Sequence, residues 1–169
     1  MAFLAAPLAS AAGASVADAS MAGDAVTMQS LLKSGADPNA PGQFGTPALH
    51  WRVDADDLAG AGRLLKAGAN PSALTERNIS PLSLAIANGN AAMVTLLLQA
   101  GANASQQEPT GETLLMRAAQ AGVLQLVQAL LKHGAAVDVP EARYGQTALM
   151  FAARAGHADI VATLLAAGA

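Results

Sequence analysis

Three histidines, His50, His133 and His157, are the side chains of this sequence best suited to proton transfer or metal ligation near neutral pH. They fall in three separate stretches, and there is no cysteine to join them. A metal needs ligands that converge, and a catalytic base needs a nucleophile and a stabilising group within reach. Neither assembly can be made from neighbouring residues here. The one acidic run is Asp54-Ala55-Asp56-Asp57. A calcium loop would also need a central glycine and a distant glutamate, and both are missing. Glycine-rich phosphate loops and nucleophile elbows do not occur either. No catalytic, cofactor-binding or metal-ligating residue is therefore expected.

The informative side chains are the aromatics. There are five: Phe3, Phe44, Trp51, Tyr144 and Phe151. Phe44 and Tyr144 each stand directly before a glycine, Gly45 and Gly145. Trp51 and Phe151 each stand two residues past a leucine, Leu49 and Leu149. Such doubling implies that equivalent elements carry them.

Those elements are repeats. A Gly-Ala dipeptide recurs at Gly35, Gly68, Gly101, Gly134 and Gly168, at intervals of 33, 33, 33 and 34 residues. Such a period is the length of a supersecondary unit, not of a helix or strand turn. Other columns keep step with it. Val16, Leu49, Leu82, Leu115 and Leu149 form one. A Leu-Leu pair precedes every dipeptide, from Leu31-Leu32 to Leu164-Leu165. Gly23, Gly89, Gly122 and Gly156 form another, with Asp56 in the second unit.

Each unit reads as two short helices. In the last, Thr147 is the expected N-cap of a helix running to about Ala155, Gly156 breaks it, and a second helix runs from Asp159 to Ala166. Asp24, Asp57 and Asn90 occupy one column and are expected to cap the second helices of their units. Helices this short do not persist alone in water, so their apolar stripes must be buried against neighbouring units.

The units resemble ankyrin repeats. The family's turn glycine and Thr-Pro/Ala-Leu-His segment is matched by GTPALH (Gly45 to His50), NISPLS (Asn78 to Ser83), GETLLM (Gly111 to Met116) and GQTALM (Gly145 to Met150). Ala118-Ala119 and Ala152-Ala153 match its alanine pair, Gly156-His157 its Gly-His, and Val94, Val127 and Val161 its valine. The resemblance covers residues 14 to 169. It implies an all-α solenoid of about five helix-turn-helix units joined by β-turn finger loops, with units at about 14–40, 41–73, 74–106, 107–139 and 140–169. It also implies that His50 and His157 hydrogen-bond backbone in turns. The second unit departs most: Arg52 stands in place of the first alanine, Asp56 in place of the glycine break, and Gly60 and Gly62 interrupt the outer helix. Arg52 is expected to snorkel outward or to pair with a carboxylate such as Asp18 or Asp54, and this unit is expected to be the least stable.

In ankyrin-like arrays the fingertips and inner helices form a concave recognition face. Phe44 and Tyr144 map to fingertips, Trp51 and Phe151 to inner helices. Packing between inner helices is an equally good reading for the latter pair. Aromatic and arginine side chains are the usual interface anchors. Polar groups complete the footprint. Gln43, Thr46 and Asp54 come from the second unit, and Glu76, Arg77 and Asn88 from the third. Glu112, Arg117 and Gln120 come from the fourth, and Arg143, Gln146 and Arg154 from the fifth.

Composition narrows the function. Hydrophobic residues make up 53% but aromatics only 3%, as in a solenoid packed with small side chains. Net charge is −3 and no Lys/Arg run exists, which argues against nucleic acid. No apolar stretch reaches the ~18 residues of a membrane span. The expected function is a non-catalytic module that binds a protein partner as a monomer. The alternatives are a concave pocket for a small molecule or reaction, and a structural spacer in a longer array. Residues 1–13 carry no charge and read either as a signal-peptide remnant or as an alanine-rich cap. With the resemblance to bacterial exported ankyrin proteins, this favours a periplasmic or secreted scaffold or inhibitor over a cytoplasmic one. Leu164 and Leu165 are followed only by small residues and no polar cap, so the chain is expected to belong to a longer array.

Overall fold

A computed structural model describes residues 15–42 and 44–169. The charge-free leader and Gln43 lie outside the described residues. Ten helices follow in order: α1 (Val16–Met21), α2 (Ala25–Lys33), α3 (Ala48–Asp54), α4 (Leu58–Lys66), α5 (Pro81–Ala87), α6 (Ala91–Gln99), α7 (Leu114–Ala121), α8 (Leu124–Lys132), α9 (Ala148–Ala155) and α10 (Ala158–Ala166). Odd-numbered helices pack on odd-numbered neighbours to form an inner row, and even-numbered helices form an outer row. The helices pair as expected of the repeat.

Local chemistry explains the boundaries. Asp24, Asp57 and Asn90 cap α2, α4 and α6 by accepting the backbone N–H of Thr27, Gly60 and Met93. Ser15, Ser80 and Thr113 do the same for α1, α5 and α7. Thr147 stands at the N-cap of α9, but its side chain makes no capping hydrogen bond. The inner helices end on a left-handed residue. It is Gly122 (φ 75°) after α7 and Gly156 (φ 79°) after α9. In the second unit Asp56 takes this role at φ 52°. A short polar side chain tolerates that backbone best among non-glycine residues. Here the carboxylate also accepts from Asn88 (3.3 Å) and Asn90 (3.2 Å) of the next unit.

The core follows the columns. Val16, Leu49, Leu82 and Leu115 are buried. So are Leu64, Leu97, Leu130 and Leu164 on the outer helices. Leu149 is half-buried. The alanine column brings the inner helices close: Ala19, Ala85, Ala118 and Ala152 are all buried.

Arg52 belongs to that alanine column. It does not snorkel outward; it pairs with a carboxylate, as expected, but the partner is Asp57 rather than Asp18 or Asp54. It is 6% exposed. Its Nη2 donates to the Ser20 carbonyl of the first unit, and its Nη1 meets Asp57 Oδ2 at 3.4 Å. Room for it comes from Gly60. A Cβ at that position would collide with Oδ2 of Asp57, the carboxylate that Arg52 pairs with, and would lie 2.8 Å from Arg52 Cδ. The equivalent positions in the later units hold Met93, Leu126 and Ile160, all fully buried. The second unit therefore exchanges a small inner and a large outer residue for a large inner and a small outer one.

This exchange makes a testable coupling. Arg52→Ala is expected to cost about 2 kcal/mol, from lost hydrogen bonds and a cavity. Gly60→Leu is expected to cost about 1–3 kcal/mol by overpacking against Arg52. The double substitution restores the pattern of the other units and should cost less than the sum. Urea denaturation of the four proteins measures the coupling; strictly additive losses would show that the two positions act independently.

Candidate interaction face

The fingers are short turns between one unit's outer helix and the next unit's inner helix. Each requires a left-handed residue: Gly45 (φ 68°), Asn78 (φ 59°), Gly111 (φ 85°) and Gly145 (φ 67°). The residue before each is thrown outward. Phe44 is 64% exposed and Tyr144 70% exposed. Arg77 and Thr110 fill the middle fingertips and are exposed as well.

The fifth finger is held by a residue that the sequence reading missed. Glu141 is buried at its base. One carboxylate oxygen accepts the backbone N–H of Tyr144 at 2.6 Å and of Gln146 at 3.2 Å, and the other accepts that of Arg143 at 2.6 Å. Burial pushes this carboxyl upward, but the three amides and the nearby Arg143 charge outweigh it and hold it below the usual carboxylate range. The signal was available: a glutamate four residues before a turn glycine, in Glu-Ala-Arg-Tyr-Gly.

Two clefts open beside the exposed aromatics. One, of about 480 Å³, lies between the fourth and fifth fingers, with Tyr144, Glu112, Gln120 and Gln146 along its walls. The other, of about 340 Å³, lies between the second and third fingers, with Phe44, Thr46, Glu76 and Arg77. Glu112 and Gln120 also border a smaller cleft beside Arg117. Asp54 is exposed at the end of α3, and Trp51 is half-buried.

Three of the expected contact residues are engaged within the fold. Phe151 is 4% exposed and packs in the core, so the packing reading holds for it. Asn88 donates to the Val53 and Asp54 carbonyls as well as to Asp56, which braces α5 against the end of α3. Arg117 pairs with Glu108 at 2.5 Å and donates to Ser83 Oγ at 3.2 Å, tying the fourth finger to the third unit.

Histidines serve the frame. His50 Nε2 donates to the Ile79 carbonyl at 3.0 Å and His157 Nε2 to the Gln120 carbonyl at 3.2 Å. Both histidines bond backbone, as the resemblance implied, and both bonds cross from one unit to another. His133 is exposed at the end of α8. Among the described residues no group of three or more His, Cys, Asp or Glu side chains is arranged to hold a metal. No helix among them is long and apolar enough to cross a membrane.

The family model of ankyrin repeats (three copies) matches residues 16–108 and again 82–169. The chain belongs to the ankyrin-repeat family. No curated protein matches it. Ankyrin repeats are in general protein-interaction modules and typically non-enzymatic.

Burial lowers the His50 pKa below the ordinary 6.5. The unfolded chain then binds a proton more readily than the folded one, so stability falls as pH drops through about 6.5. Asp24 and Glu141 are also held low, so their losses come only at more acidic pH. The unfolding free energy is therefore expected to be smaller at pH 5 than at pH 7, and the difference should shrink in His50→Gln. An unchanged slope in that variant would assign the effect elsewhere. Glu141→Ala should speed amide exchange of Arg143, Tyr144 and Gln146 by about tenfold or more, since each loses its acceptor. Leu164 in the same unit should be unaffected. Equal acceleration at both would indicate unfolding of the whole unit.

Proposed function

We propose that this chain is a non-catalytic binding module that holds a protein partner against its fingertips and concave face. The observation that carries this reading is the exposure of Phe44 and Tyr144. Two large aromatic rings stand in water at equivalent fingertips, each beside a cleft. Aromatic rings are among the side chains that most often anchor interfaces. Thr46, Glu76, Arg77, Glu112, Gln120, Arg143, Gln146 and Arg154 surround the two rings with hydrogen-bonding groups, the polar rim that an aromatic anchor needs. Trp51 and Asp54 extend the footprint along α3. Asn88, Arg117 and Phe151 support this face from within.

The spacing of the anchors also bears on the partner. One sits at the second finger and one at the fifth, so a partner reaching both must span three unit steps. An extended segment or a second folded domain meets that requirement better than a small molecule does.

Isolation of the partner by affinity capture, followed by titration against Phe44→Ala and Tyr144→Ala, tests the reading. Neither ring lies in a core column, so both variants should keep the parent melting temperature. Affinity should fall by about 2 kcal/mol, close to thirtyfold, for a true anchor. Unchanged affinity in a folded double variant would remove the concave face from consideration.

A further inference from the structure

The cleft between the fourth and fifth fingers has a chemistry of its own. Two arginines stand at its rim, and neither is paired with a carboxylate. Among the described residues the ion pairs are Arg52–Asp57 and Arg117–Glu108, which leaves Arg143 and Arg154 outside any ion pair. Both are exposed. Both are nonetheless oriented. The Arg143 guanidinium lies 5.0 Å from the centre of the Tyr144 ring. That of Arg154 lies 4.8 Å from the Phe151 ring and donates to Gln146 Oε1 at 3.2 Å.

Arg154 commits one of its N–H donors to Gln146. A guanidinium held over an aromatic face keeps N–H donors for a further partner. That is the arrangement a carboxylate needs for a forked pair of hydrogen bonds. The cleft's own acids compete weakly. Glu141 is buried, both its oxygens are taken by the three backbone amides of the finger, and the Arg143 charge acts on it through space without an ion-pair contact. Glu112 alone remains as an acid without such a backbone cradle. The two arginines therefore outnumber it.

We propose that this cleft receives the side-chain carboxylates of an acidic segment, rich in Asp or Glu, of the protein partner. The inference rests on the concave-face reading and adds the partner's charge. Arg143 and Arg154 hold the carboxylates, while Tyr144 packs against the segment's backbone or an apolar neighbour. Aspartate or glutamate residues placed at this cleft would also fix the partner's direction along the face, because Asp54 and Glu76 lie on the second and third units.

Hexaglutamate is the probe, with hexaglutamine and hexalysine as controls, titrated into the isotope-labelled protein and followed by NMR. The expected result is saturable shifts for hexaglutamate at residues 143–154, including the Arg154 side-chain N–H, which weaken as salt is raised. Arg143→Gln/Arg154→Gln should weaken binding at least tenfold, with Arg143→Lys/Arg154→Lys intermediate, because charge is kept and the fork is lost. Equal shifts for hexaglutamine, or a response spread over the whole surface, would overturn the proposal. With the captured partner, two failures are distinguishable. A footprint away from Tyr144 and Phe44 overturns the concave-face reading itself. A concave footprint indifferent to the double Arg→Gln variant overturns only the acidic segment.

Discussion

No unit of this chain can bury its own apolar stripe. The longest described helices have nine residues, and each depends on the neighbouring helices that cover its faces. Everything else depends on keeping the units in register. Small residues set the spacing of the inner row. A polar ladder sets it along the loops. Asn39, Ser72 and Ser105 each stand four residues after a Gly-Ala glycine. Their side chains accept the backbone N–H of Asn70, Asn103 and Ala136 in the following unit, at 2.7, 3.2 and 3.0 Å. Asn39 and Ser105 also donate to the Gly68 and Gly134 carbonyls. Backbone groups that helix ends leave unpaired are thus satisfied by the neighbour.

Column arithmetic made much of this legible. A residue's distance from the repeating glycine tells which face it occupies, because all units share one backbone. Asp24, Asp57 and Asn90 could be read as caps, Asp56 as a left-handed break, and Phe44 and Tyr144 as exposed fingertips. The arithmetic fails where a long or polar side chain has several neighbours within reach. Arg52 could be placed in the alanine column but not aimed, since its direction depends on the space that Gly60 leaves in another helix. Asn88 shares a column with the exposed Ala55, Ala121 and Ala155, and Arg117 one with Trp51 and Phe151, yet they turn to the end of α3 and to Glu108. Phe151 could be assigned to the inner helix but not to its buried side. Glu141 belongs to no repeating column, since the corresponding positions hold Gln107 and Leu74, so only the local Glu-Ala-Arg-Tyr-Gly pattern marks its hold on the backbone amides.

The face that results is a rigid frame carrying a few adaptable contacts. The fifth finger is tied by Glu141 and the fourth by the Arg117–Glu108 pair. On the proposed reading neither finger would need ordering when a partner arrives, and preorganisation of this kind saves entropy otherwise lost on association. The exposed rings would then contribute area with little rotamer freedom to lose, and the polar residues around them would supply direction.

The exchange between Arg52 and Gly60 bears on how freely units could be traded. An arginine in the alanine column opposite a large outer residue meets a filled core, and a glycine opposite alanine leaves a hole. Swapping α3 or α4 singly from a later unit would create that mismatch, so the smallest portion of this second unit to transplant is the two helices together. The preceding unit is tied into the same joint, because the guanidinium ends on the carbonyl of Ser20. In a repeat array whose parts look interchangeable, one joint has become specific to its place.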